Sequence, residues 1–198
     1  MMSASFKTIA WGLLLVVVHI NIQGIDMLPD WIGFLLILRG SYVLHKGTGI
    51  NNFKLISTFA VCLLVFYLLQ RLAIDSTSAA SVIPSISFSY FLQAIYSLLI
   101  MLMIYFICSA IFTYATQRQQ NTIADKAKKK GYYYLVINTL LLMLTPLLSL
   151  YAVNDASFSL ILIALTVANF VILLLIIILL FQTAKLPSAP HIEQPNTL

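Results

Sequence analysis

Apolar residues in this chain gather into long runs, and the polar residues fall mostly in the gaps between them. The runs cover about 6–23, 27–44, 53–72, 88–116, 132–151 and 157–183. Each is near or above the ~20 residues that a helix needs to cross the hydrocarbon core of a bilayer. The pattern predicts an all-α, polytopic transmembrane bundle of six helices, folded as one domain over 1–183. Gly24 closes the first run. Pro29 stands in the first turn of the second, where a missing N–H costs nothing. The run 88–116 is longer than the bilayer core is thick, so it should tilt or project beyond it. The polar stretch from Gln117 is expected to continue that helix and to turn at Gly131. Pro146 predicts a kink in the fifth span. The segment 184–198 holds Pro187, Pro190 and Pro195 and reads as a disordered cytoplasmic tail.

Composition agrees with this pattern. The chain is 61% hydrophobic and 9% charged, against roughly 25% charged in soluble domains. Six spans use most of the 198 residues and leave no room for a separate soluble domain. The first apolar run follows Lys7 as a signal peptide would. No small-residue cleavage site comes after it, and it is read as a retained first helix.

Charge orients the spans. Lys7, Lys46, Lys54, Arg118, Lys126, Lys128, Lys129, Lys130 and Lys185 fall at one set of alternate ends. Arg71 falls at the other, and Arg39 lies inside the second span. Basic loops stay in the cytoplasm, so both termini are expected there, N-in/C-in. The net charge of +5 therefore sets topology and does not point to nucleic acid. Lys126, Lys128, Lys129 and Lys130 form a basic loop suited to anionic lipids at the cytoplasmic face, at about 1 kcal/mol per lysine; docking of an acidic partner is the rarer use of such a cluster. Trp31, Tyr90 and Tyr151 mark the outer interface, and Tyr114 with Tyr132, Tyr133 and Tyr134 the inner one.

Few polar groups remain to carry chemistry. Asp26 and Asp30 are four apart, as are His19 and Gln23, all near the outer ends of spans one and two. Together they would make a cation or proton site at the mouth of a cavity. The plainer reading is that Asp26 and Asp30 start a helix. Arg39 needs a partner at its depth, and side chains lean toward the N-terminus of their helix. It is expected to face the bundle interior, with Asn138 near the same depth and Asn169 nearer the middle of the membrane. Gly33 and Gly40, seven apart, predict a close helix contact along span two.

Cys62 and Cys108 lack metal-ligand spacing. Lys46-Gly47-Thr48-Gly49 lacks the phosphate-loop spacing. No protease or hydrolase template is present. The sequence thus suggests no catalytic residue, no metal and no cofactor.

The stretch Gly24-Ile25-Asp26-Met27-Leu28-Pro29-Asp30-Trp31-Ile32-Gly33, followed by Leu35 to Gly40, resembles a segment of uncharacterised small polytopic membrane proteins of Firmicutes-type bacteria. These read G-x-D-x-L-P-D-x-I-G between their first two spans. The resemblance implies a multi-pass protein of the bacterial plasma (inner) membrane and no particular reaction. It singles out Gly24, Asp26, Pro29, Asp30 and Gly33. The expected function is a small transporter or ligand-binding membrane protein, with a pocket between spans one, two, five and six. A non-catalytic interaction or assembly subunit, with a membrane partner or a second copy, is the alternative; an intramembrane enzyme comes third. The orientation predicts that a periplasmic reporter fused at Ser78 is active and one fused at Thr122 inactive; the reverse pattern would invert the topology.

Overall fold

The computed structural model describes residues 2–17, 21–22, 25–26, 30–77, 86–151 and 156–186. These form α1 (Met2–Val17), β1 (Asn21–Ile22), β2 (Ile25–Asp26), α2 (Asp30–Thr48), α3 (Asn51–Thr77), α4 (Ile86–Gln117), α5 (Asn121–Tyr151) and α6 (Ala156–Ala184). The fold is all-helical apart from one two-residue antiparallel pairing, Asn21 with Asp26 and Ile22 with Ile25. Three helical segments are long and apolar enough to cross a membrane: Asn51–Leu69, Phe91–Gln117 and Ile163–Ala184. Many large apolar residues are exposed, Leu69, Phe91, Leu160, Ile163 and Val167 among them. Such a surface needs a nonaqueous environment.

Each helix packs on its neighbours in sequence, and α6 returns to pack on α1. The result is a closed ring. Every seam has its own device. At α1–α2 it is the absence of side chains. A Cβ on Gly12 would lie 2.7 Å from the Gly33 carbonyl oxygen, and one on Gly33 would lie 2.8 Å from that of Gly12. A Cβ on Gly40 would lie 2.6 Å from Ile9 Cγ1 and 2.9 Å from the Ser5 oxygen. The two backbones therefore touch, as the spacing of Gly33 and Gly40 predicts, with Gly12 as the partner on α1.

At α2–α3 the Ser41 and Ser57 hydroxyls are 2.8 Å apart. At α3–α4 Asn52 Nδ2 donates to Ser109 Oγ at 2.9 Å. At α4–α5 a Cβ on Gly131 would meet Cys108 Cβ at 2.9 Å. At α6–α1 Trp11 and Phe181 meet edge to face. Phe6 fills the middle, against Phe53 of α3 and Tyr114 of α4.

The turns follow local rules. Gly49, at φ +70, ends α2 and donates its N–H to the His45 oxygen. Gln119, at φ 57, ends α4. Its N–H bonds Thr116 O and the Gln120 N–H bonds Ala115 O, the paired bonds of a Schellman cap. These turns bring the start of α1 and the ends of α2, α4 and α6 together at one end of the ring. Met2 there touches Tyr114 and Arg118 and lies 3.1 Å from where a Cβ on Gly47 would stand. The lysines of α5 start from the same end.

Several expected boundaries are corrected. The described part of α1 ends at Val17, and Asn21–Ile22 pairs with Ile25–Asp26 as strand, so the first span does not run as continuous helix through Ile22. The polar stretch after Gln117 does not extend α4. Lys and Ala are good helix formers, and Asn121 to Lys130 open α5 instead, so Lys126, Lys128, Lys129 and Lys130 are helical and not a loop. Gly131 makes no turn; lacking a side chain, it lets α5 press on Cys108. Helix α5 continues through Pro146. Tyr114 and Tyr134 are core residues, whereas Tyr132 and Tyr133 are exposed. The tail beyond 186 lies outside the described residues.

Overpacking a tight contact costs typically about 1–3 kcal/mol. Gly33→Leu should therefore melt well below wild type in detergent, while Gly47→Ala, which meets only the flexible end of Met2, should melt with it. Equal melting of both variants would remove the α1–α2 crossing as an organising contact.

Candidate functional site

The helix seams leave a partly open cavity of about 350 Å3 lined by α1, α4, α5 and α6. Its polar side chains are Gln93, Tyr96, Ser97, Tyr134, Asn138, Thr166 and Asn169; the rest of the wall is apolar, including Leu13, Met103 and Phe170. The sequence explains how they converge. Gln93, Tyr96 and Ser97 stand at i, i+3 and i+4 on α4, and Thr166 and Asn169 at i and i+3 on α6. Both sets share a helix face.

At the floor, Asn138 Nδ2 donates to Asn169 Oδ1 at 2.8 Å and to the Tyr134 oxygen at 3.0 Å. One turn apart on the same stripe of α5 lie Lys130, Tyr134 and Asn138. Tyr134 is 2% exposed. Lys130 Nζ donates to the Leu175 oxygen of α6 at 2.8 Å. Burial, aided by the neighbouring charge of Lys126, holds Lys130 below the usual lysine value, with Cys108 acting the other way. Two polar contacts thus fasten α5 to α6, Lys130 to Leu175 and, two turns on, Asn138 to Asn169, and the second lines the cavity.

The cavity is electrically neutral. Its lining holds amides, hydroxyls and phenols, with no carboxylate, ammonium or guanidinium among the described residues. Within the pair Asn138 Oδ1 and Asn169 Nδ2 are left over as an acceptor and a donor, with the Tyr134 hydroxyl within hydrogen-bonding reach of the Asn138 side chain. Such a wall suits an uncharged solute with complementary hydrogen-bonding groups. Among the described residues no three His, Cys, Asp or Glu side chains gather as metal ligands.

A second cavity, about 310 Å3, lies at the basic end between α1, α4 and α6, lined by Met2, Phe6, Tyr114 and Thr183 among others. Between the two, the same three helices contribute Ile9, Ile107, Ile111, Ile176, Leu179 and Leu180, none more than 4% exposed. An apolar plug therefore separates two cavities along one line through the ring.

The expected site residues divide. Asn138 and Asn169 come together. Asp30 opens α2. Asp26 lies in β2 and not on the helix of Asp30, so the two share no helix face. His19, Gly24 and Pro29 lie outside the described residues. Arg39 does not face the interior. Gly33, Ile37, Gly40 and Leu44 are the buried side of α2, and Arg39 projects from the opposite, exposed side. Helix α2 contributes nothing to the cavity wall; α4 takes that place, so Arg39 is not part of a floor with the two asparagines. Gln93, Tyr96, Ser97 and Thr166 were not singled out by the sequence. Their polar stripes at helical spacing are the signal that marks them.

No family model, no curated protein and no solved structure matches this chain.

Proposed function

We propose that this chain is a six-span, multi-pass protein of the bacterial plasma membrane, N-in/C-in, acting as a small transporter or ligand-binding membrane protein for an uncharged polar solute. The observation that carries this reading is the neutral cavity with the Asn138–Asn169 pair at its floor. The plug supports transport in particular. A solute held at the asparagines is shut off from the second cavity by a dry layer, which alternating access requires in each state. The alternate-end distribution of basic residues supports the orientation, and the apolar outer surface supports the lipid environment. In this reading Asp30 sits by the outer mouth, and Lys126, Lys128, Lys129 and Lys130 lie against anionic lipid.

Arg39 favours a second reading, a non-catalytic interaction or assembly subunit. An arginine halfway along α2 on its exposed face is costly against lipid, and a membrane partner or second copy would cover it. The neutral cavity is the more direct indication, because it is built from four helices.

The test is a thermal-stability screen of uncharged polar metabolites on wild type, Asn138→Leu and Asn169→Leu. A ligand at about a hundred times its Kd adds ~2.7 kcal/mol of stability. The expected result is a compound that stabilises wild type and neither variant, while the unliganded variants, each losing one interhelical hydrogen bond worth about 0.6 kcal/mol, melt only slightly below wild type. Uptake of that compound into proteoliposomes would then establish transport. Stabilisation of all three proteins alike would remove the asparagine pair from the site.

A further inference from the structure

We infer that the groove between α4 and α5 at the basic end is a binding site for one anionic phospholipid. This rests on the membrane orientation proposed above. The groove has a volume of about 680 Å3. Phe112 and Tyr105 of α4 form its apolar side, and Lys128, Lys129 and Tyr132 of α5 its polar rim, with Asp125 at the outer edge.

Its chemistry is ordered along the helix. Helix α5 runs away from the basic end, so Tyr132 lies one turn, ~6 Å, deeper than Lys128. Tyr105 is two turns deeper than Phe112 on antiparallel α4. On α5 the ammonium groups therefore come first from the basic end and the Tyr132 phenol next, while α4 lines the groove with Phe112 near the level of the lysines and the Tyr105 ring at the deeper end. A phosphate held at the lysines leaves its glycerol and acyl carbons against these rings.

Charge selects the headgroup. Lys128 and Lys129 supply two positive charges. Asp125, three and four residues before them on the same helix, offsets one. The remainder is one positive charge, matched to the single negative charge of a phosphatidylglycerol and unmatched by a zwitterionic lipid.

The close contact of Gly131 with Cys108 and the rings at the groove make this a shaped site and not a diffuse field. One net positive charge at the membrane surface, at about 1 kcal/mol, predicts about fivefold tighter retention of the anionic lipid.

The experiment uses full-length protein taken up from vesicles of phosphatidylcholine with or without phosphatidylglycerol, with retained lipid counted by native mass spectrometry. Wild type should keep one phosphatidylglycerol. Lys128→Gln/Lys129→Gln should hold it about thirtyfold more weakly. Lys7→Gln/Lys54→Gln, which removes the same charge elsewhere, should match wild type. Equal loss in both double variants, or equal retention of both lipids by wild type, would overturn the site. The reporter at Thr122 separates the two readings: if it is active the orientation fails, and if it is inactive while the variants lose lipid equally, only the groove fails.

Discussion

Backbone contact between α1 and α2 is the constraint on which the remainder of the ring depends. Helices surrounded by lipid gain nothing from burying apolar side chains, because the lipid is as apolar as they are. Close packing and interhelical hydrogen bonds must hold them. Gly12, Gly33 and Gly40 bring the two helices together until carbonyl oxygens stand where Cβ atoms would be. With α1 drawn against α2 on one side, its other side meets α6, and the sixth helix closes on the first. A bulkier contact would push α1 outward and open the seam at Trp11 and Phe181.

The other seams use hydrogen bonds in place of glycine: Ser41 with Ser57, Asn52 with Ser109, Asn138 with Asn169. Each satisfies a polar group that the apolar surroundings would otherwise penalise. The last differs from the others in leaving one acceptor and one donor facing a cavity. Seam and site are made of the same residues there, which ties the proposed ligand to the α5–α6 contact. Buried isoleucine and leucine side chains of α1, α4 and α6 fill the ring between the two cavities.

Much of the architecture was legible in the sequence because long apolar runs leave the chain few choices. Gly33 and Gly40 were readable as a contact face from their spacing alone. Asn138 and Asn169 stood out as amides in apolar helices, but depth counting offered them as alternative partners of Arg39 and not of each other. Orientation about the helix axis was harder to read. Arg39 was expected inside because a buried partner seemed necessary, yet which side of α2 is buried is decided by its glycines, which point the opposite way. Gly131 was read as a turn because glycine both breaks and packs helices; the repeat Ala124, Ala127, Gly131 and Tyr134 continues one buried face through it and marks the packing use. Helix α4 was missed as a cavity wall because its polar residues are few and scattered among many apolar ones.

Closure of the ring is the claim most open to direct attack. Cysteines at Trp11 and Phe181, in a chain with Cys62 and Cys108 replaced by alanine, can be treated in native membranes with a short bifunctional thiol reagent. A second pair, Trp11 with Val61 on α3, serves as the comparison. The ring predicts efficient linkage of the first pair and none of the second. Failure of the first pair to link, or equal linkage of both, would contradict the closed arrangement.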